Sequence, residues 1–198
     1  MYWILSERKR TRIMGSLVTG WLEPSASVLD LGTGDGRVAR YIADRGWPVT
    51  PVDVRNSSRA KGINPIIYDG MLLPFADDSF DYCLLSTVLH HTPNPELIIR
   101  EAARVARRLI IIEDIYSTPF GRWVAMASCT LANRQFIHPH TNKTDAGWKT
   151  TFQRLGLVLL ETSYFREVRF IYPFFEGAYL LRRSQTDSDN LDIPGSWR

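Results

Sequence analysis

The stretch Val28-Leu29-Asp30-Leu31-Gly32-Thr33-Gly34-Asp35-Gly36-Arg37 restricts the fold of this chain more than any other. A short apolar run passes through three glycines within five residues and continues, from Val38 to Gly46, with helical spacing. Strand, glycine turn and helix is the arrangement by which a parallel sheet receives a cofactor at its carboxyl end. Glycine removes a Cβ from the approach of backbone or ligand, or permits positive φ. The helix that follows offers unpaired N–H groups to whatever lies at the turn.

The spacing carries further information. A dinucleotide loop reads G-x-G-x-x-G. Here the third glycine arrives one residue early, as G-x-G-x-G, and Asp30 stands two residues before the first. A carboxylate there repels a pyrophosphate and favours a cofactor with a cationic end. On these residues the loop resembles motif I of the class I methyltransferases that use S-adenosylmethionine, a cofactor with a sulfonium, an ammonium and no phosphate. Taken alone, the turn also fits a structural or a nucleotide-binding loop.

Bulk properties narrow the setting. A chain of 198 residues, 44% apolar and 23% charged, is ordinary globular material for one domain with a sizeable core. No apolar run reaches the length of a membrane span. Met1-Tyr2-Trp3-Ile4-Leu5-Ser6 leads straight into charges and is too short for a signal peptide, which favours a cytoplasmic protein. Cys83, in a predicted strand, and Cys129, in a predicted helix, lack metal-type spacing and read as reduced core thiols. The net charge is a mild +3. Arginines gather at Arg8-Lys9-Arg10-x-Arg12 and at Arg104, Arg107 and Arg108. They read as solvated helix faces in preference to a nucleic-acid surface.

Along the chain, residues 4–22 read as a helix with Leu5, Ile13, Leu17, Val18 and Trp21 on one face, set before the sheet or over the cofactor entrance. A strand over 26–31 and a helix over 37–45 follow. The next strand, 47–53, holds two prolines, so one side of it is poorly paired near its start. Residues 56–62 form a short helix at best, and 65–69 a third strand. The nearly continuous apolar run 80–86 suits a sheet centre buried on both faces. Asn94 caps a helix that Pro95 opens and that runs to about residue 107. Residues 108–114 form the next buried strand. Helices over 119–133 and 148–155, a loop over 134–142, strands over 157–163 and 170–182 and a mobile polar tail over 184–198 complete the reading.

A second segment adds to the resemblance. Asp69-Gly70-Met71-Leu72-Leu73-Pro74-Phe75-Ala76-Asp77-Asp78-Ser79-Phe80-Asp81 is similar to the "D-A-x-x-L-P-F-x-D-x-S-F-D" run of the small methyltransferases grouped as type 11, with Gly70 where alanine is common. Leu89-His90-His91 before a short loop and helix also resembles that group. The family's Leu-x-Pro-Gly-Gly turn is absent. Val105-Ala106-Arg107-Arg108 stands there, which implies a tighter passage from helix to strand.

The resemblance implies an α/β, Rossmann-like, doubly wound seven-stranded sheet, mostly parallel with an antiparallel last strand, in a three-layer sandwich. Residues 1–183 would be one methyltransferase domain, with an N-terminal helix over 1–24 and an insertion over 117–150 near the active site. It implies S-adenosyl-L-methionine as cofactor, held by Asp30, Gly32, Thr33, Gly34, Gly36, Asp53, Val54, Asp69, Gly70, Met71 and Ser86. Asp53 would bond the ribose hydroxyls, since a carboxylate accepts from both, and Asp69 the adenine amino group. No metal is implied.

Methyl transfer from a sulfonium is an in-line displacement and asks the protein chiefly for positioning. A protic acceptor also needs a base. His90 and His91 are the leading candidates; His138, His140, Tyr116 and Glu113 follow, and loop or helix-flanking histidines are the plainer alternative for the first two. Trp123, Phe136, Trp148 and Tyr116 either line a pocket for a small-molecule acceptor or belong to the core, with core favoured for Trp148 and Phe152. Two other functions remain open: a nicotinamide-dependent oxidoreductase, against which the displaced glycine counts, and a non-catalytic cofactor-binding or interaction module.

Overall fold

The computed structural model describes residues 2–116, 141–169 and 172–184. The helix expected over 119–133 and Trp123, Cys129, Phe136, His138 and His140 lie outside the described residues. So does the tail beyond Ser184.

Two apolar runs make the middle of the sheet. β4 (Phe80–Ser86) and β5 (Ala106–Ile115) pair in parallel, and β1 (Val28–Leu31) pairs in parallel with the other side of β4. These strands are buried on both faces. Leu29, Leu31, Cys83, Leu85, Leu109 and Ile111 face one layer, and Val28, Tyr82, Leu84, Ile110 and Ile112 the other. That two-sided burial is why they read as continuous apolar runs without alternation. β2 (Val49–Asp53) adds to β1, and β3 (Ile66–Ile67) to β2. β3 meets only Val52 and Asp53, so the half of β2 that carries Pro51 has β1 alone as neighbour.

On the other flank, β7 (Tyr172–Arg183) runs antiparallel between β5 and β6 (Leu157–Arg169). Among the described residues the sheet has seven strands, in the order β3-β2-β1-β4-β5-β7-β6. β7, last in the chain, is the antiparallel strand, in agreement with the expected topology.

Helices cover both faces. α1 (Tyr2–Trp21) and α2 (Arg37–Ala43) lie together on one side, where Met14, Val18 and Ile42 join the core of Val28, Leu84 and Ile110. Val18 is fully buried and Leu17 and Trp21 half so, while Met14, absent from the predicted face, is its most enclosed large side chain. α3 (Pro95–Val105) and α4 (Asp145–Arg154) cover the opposite side with Ile99, Ala102, Trp148 and Phe152. Asn94 caps α3 by accepting the Leu97 N–H at 3.3 Å, and Thr144 caps α4 through the Gly147 N–H at 3.0 Å. α3 ends at Val105 and β5 begins at Ala106, with no loop between them. No described helix is long and apolar enough to cross a membrane.

One expectation fails. Residues 56–62 form no helix. The Asn56 carboxamide turns back to accept the Ser58 N–H at 3.2 Å, and the Arg59 N–H is spent on the Asp35 carbonyl at 2.9 Å. Local side-chain bonds of this kind compete with helical ones, and Gly62, at φ +78°, adds a residue that disfavours helix.

Trp148 and Phe152 stack at 6.0 Å between ring centres, and Tyr179 of β7 meets Phe152 edge-on at 5.2 Å. Both α4 aromatics are core, as favoured from sequence. Phe152→Ala should lower unfolding stability by about 3–5 kcal/mol, read from denaturant midpoints, because the cavity it leaves is walled by strands that cannot collapse into it.

Candidate functional site

The three loop glycines perform three different tasks. A Cβ on Gly32 would lie 2.4 Å from Val88 Cγ2, so its absence lets the segment after β4 close against the turn. A Cβ on Gly36 would lie 2.6 Å from Ser58 Oγ and 3.0 Å from Ile63, so that glycine admits the 58–63 segment. Around Gly34 the nearest atom to such a Cβ is the Gly32 carbonyl at 3.9 Å, and the backbone sits at φ +59°. Gly34 therefore presents bare backbone to open space.

Thr33 secures the turn from within. Its hydroxyl donates to the Asp30 carbonyl at 2.9 Å and accepts the Val52 N–H at 3.1 Å, tying β1 to β2. That side chain is occupied by structural bonds. Asp53, at the end of β2, accepts the Gly34 N–H through Oδ2 at 2.8 Å and the Arg55 N–H through Oδ1 at 3.3 Å. Its carboxylate stays half-exposed, and each oxygen retains acceptor capacity. Asp69, beyond β3, accepts the Met71 and Leu72 N–H groups at 2.8 and 2.9 Å through Oδ1. These bonds pull its pKa down, so this exposed carboxylate is a firm anion at neutral pH.

Apolar side chains surround these acids without being covered. Val54 is 55% exposed, Met71 64% and Leu72 66%. A Cβ on Gly70 would touch Val54 Cγ1 at 3.3 Å, so Val54 and the Asp69 turn form one surface.

Asp30 differs from both other acids. It is buried, and loss of solvation pushes its pKa up to about 7; the Thr33 hydroxyl opposes this shift, and the charges of Asp53 and Asp35 add to it. Three acids thus stand at or just beyond the carboxyl ends of the adjacent strands β1, β2 and β3, the middle one bonded to Gly34. An exposed carboxylate, bare backbone, an uncovered apolar ledge and a buried acid short of compensating positive charge fit the ribose, adenine and ammonium of S-adenosylmethionine. They offer no cation to a pyrophosphate.

The other half of the site follows β4. Ser86 closes that strand, with its hydroxyl 3.7 Å from Met14 Sδ. Thr87 takes φ +55°, a costly conformation for a β-branched residue. It is held there by its N–H to the Ile112 carbonyl at 2.7 Å and its hydroxyl to the Ser86 carbonyl at 2.7 Å. The chain then enters a single 3-10 turn, Leu89–His91. His90 is buried and its Nδ1 lies 2.6 Å from Glu113 Oε2 on β5. Glu113 Oε1 accepts the Leu89 N–H at 2.7 Å. A carboxylate oxygen so placed favours the hydrogen on His90 Nδ1. His91 is half-buried beside it, 4.1 Å between ring centres.

Of the predicted residues, Asp30, Gly32, Thr33, Gly34, Asp53, Val54, Asp69, Gly70 and Met71 come together at one end of the sheet, and Gly36 lies on the packed side of the turn. Sequence reasoning named Glu113 as a candidate base and did not foresee its hydrogen bond to His90. Its sole signal was an acid directly after the apolar run Leu109–Ile112. Tyr116, another predicted base, donates its hydroxyl to the Asn142 carbonyl at 2.8 Å. Among the described residues no three of His, Cys, Asp or Glu gather to hold a metal ion.

Comparisons with known proteins agree with this geometry. Residues 29–109 match the family model described as a methyltransferase domain. An uncharacterized methyltransferase of Mycobacterium avium is 33% identical over 114 residues, covering 48% of this chain and 42% of its own. Among solved structures, an SAM-dependent methyltransferase from Methanosarcina mazei superposes with a TM-score of 0.66 at 16% identity, over 85% of this chain and 97% of that one. Magnesium protoporphyrin IX methyltransferase from Synechocystis, solved with bound SAH, gives 0.64 at 18% identity, over 91% and 84%. The chain spans about two fifths of the length of the curated relatives it matches. Over residues 29–109 the chain is similar to the methyltransferase-domain family, and it shares the fold of these solved methyltransferases.

Because the folded chain binds the Asp30 proton more tightly than the unfolded chain does, the contribution of Asp30 to stability is fully present below the ordinary value of 3.8 and is lost as pH rises through about 7. Asp30→Asn should remove that loss, gaining up to about 4 kcal/mol on the wild type between the two ends of the window in ligand-free denaturation curves.

Proposed function

We propose that this chain transfers a methyl group from S-adenosyl-L-methionine to a small-molecule acceptor. The observation that carries this reading is the set of three acids at the carboxyl ends of three adjacent strands, one of them bonded to the bare backbone of Gly34. Residues 1–183 act as one methyltransferase domain, and 117–150 contribute to the acceptor side. The cytoplasm suits a protein whose described cysteine is a buried free thiol.

In this reading Asp53 takes the ribose hydroxyls on the acceptor sites its loop bonds leave free. Asp69, Val54, Gly70 and Met71 take the adenine: the carboxylate its amino group, the apolar surface its ring. Asp30 faces the ammonium end, and Gly32, Gly34 and Ser86 border the sulfonium. When bound, the cofactor supplies a methyl already activated by positive sulfur. The chain's own work is then to align the acceptor, exclude water and, for an O–H or N–H acceptor, take a proton. Glu113 holds His90 in the tautomer whose Nε2 is basic, so His90 is the better base of the adjacent pair. Glu113 is a positioning residue.

Titration calorimetry should show S-adenosylmethionine binding with micromolar-scale affinity, and Asp53→Ala should weaken it by about tenfold or more through the loss of paired charge-assisted bonds to ribose. Heat with a nicotinamide dinucleotide and none with S-adenosylmethionine would overturn the reading. Binding without release of S-adenosylhomocysteine across a broad acceptor panel would argue for a non-catalytic module.

Asp30 also makes cofactor affinity depend on pH. Its carboxyl is half-protonated near pH 7 in the free protein and must ionise beside an ammonium. Affinity should therefore fall about tenfold per pH unit below that point, and the slope should vanish in Asp30→Asn when the same titration is repeated across pH.

A further inference from the structure

The amino end of the sheet carries chemistry that methyl transfer does not use. A cleft of about 740 Å³ opens there between α3, the start of β5, the end of β7 and the turn at Gly156. Six arginines line it: Arg100, Arg104, Arg107, Arg108, Arg182 and Arg183. The acids lining it are Glu23, Asp78 and Asp81. The excess of positive groups equals the formal net charge of +3 of the entire chain. Glu113 and Arg108 lie toward opposite ends of β5, so this cleft is remote from the glycine loop.

The arginines divide into two sets. Arg104 is fixed by Glu101 and Asp77 at 2.6 and 2.8 Å, Arg108 by Glu23 at 2.6 Å and the Tyr82 hydroxyl at 2.7 Å, and Arg183 by Asp78. The other three have charge to spare. Arg100 is exposed and meets no carboxylate among the described residues. Arg107 is 3.7 Å from Asp81, whose other oxygen already accepts the Ser27 N–H and hydroxyl at 2.9 and 2.8 Å. Among the described residues Arg182 donates only to the Arg183 carbonyl, at 3.0 Å. Moreover, Arg108 and Arg182 stand at directly opposed positions of the β5–β7 ladder. Like charges so placed repel, and an anion between them would relieve that repulsion.

We propose that this cleft binds a compact polyphosphate anion through Arg100, Arg107 and Arg182. These guanidiniums project from separate elements, so they suit several linked anionic groups better than one carboxylate. The planar fork of each matches the oxygens of a phosphate in pairs. The volume is that of a small-molecule site. Tyr82, the only aromatic among the described residues lining it, is buried and bonded to Arg108, so those residues present no platform on which the bases of a nucleic-acid strand would stack.

The test is titration of the full chain with inorganic tripolyphosphate, followed by calorimetry and phosphorus NMR at low and at physiological salt. Saturable one-to-one binding is expected. Arg100→Gln and Arg182→Gln should each weaken it by about tenfold, reflecting loss of a charge-assisted pair, while Arg12→Gln, an exposed arginine of α1 outside the cleft, leaves it unchanged. Thermal midpoints matching the wild type certify folding of the variants. Unaltered S-adenosylmethionine heat in the variants keeps this result independent of the methyltransferase reading. Absence of saturation, an equal loss in Arg12→Gln, or tighter binding of a single-stranded oligonucleotide than of tripolyphosphate would each overturn the proposal.

Discussion

The hydrogen bond from the Gly34 N–H to the Asp53 carboxylate joins the turn after β1 to the end of β2, and the candidate site is arranged around it. A bond to a charged group is worth about 1.5–3 kcal/mol, enough to keep a three-glycine turn in one conformation. Thr33 repeats the tie a residue earlier, and Val88 closes on Gly32 from the β4 side. The loop is therefore clamped by both neighbouring strands. One consequence is that Asp53, which under the proposed function meets the ribose, is also the residue that shapes the loop.

Buried acids at this end of the sheet are handled in three ways. Glu113 has both oxygens bonded, to the Leu89 N–H and to His90. Glu176, on β7, is fully buried and accepts the Arg10 guanidinium at 3.1 Å, which also fastens α1 over the sheet. Asp30 instead rises in pKa until its ionisation is nearly balanced at neutrality. A buried carboxylate left in that condition is uncomfortable for folding and useful for recognising a cation.

Much of the architecture was legible because local and global requirements coincide. Phe80 to Ser86 is apolar throughout because both faces of β4 are covered, and Asn94-Pro95 opens α3 by its own backbone chemistry. The glycine turn and the acids at Asp53 and Asp69 were visible as spacing. What sequence did not reveal depends on partners distant along the chain. Met14 enters the core because α1 lies against α2 and the sheet, a docking angle that helical periodicity alone does not fix. The bond between His90 and Glu113 requires β4 and β5 to be neighbours in a particular register. Residues 56–62 carried too few breakers to rule out a helix, and the decision came from the Asx turn at Asn56 and the bond to Asp35. The arginines at 104, 107 and 108 were read as one helix face. Arg104 alone is on α3; the other two begin β5, where they meet the end of β7.

The direct passage from Val105 to Ala106 has a consequence for how such a chain can change over time. With no residue between helix and strand, an insertion or deletion there would rotate α3 by a fraction of a turn or shift β5 against β4, turning core residues outward. In this chain the α3–β5 junction thus has no slack of its own. At the opposite end the chain spends long stretches between strands, after Asp53 and after Ile67. Added length is absorbed more easily there, where under the proposed function cofactor and acceptor would meet, with the central strands left as they are.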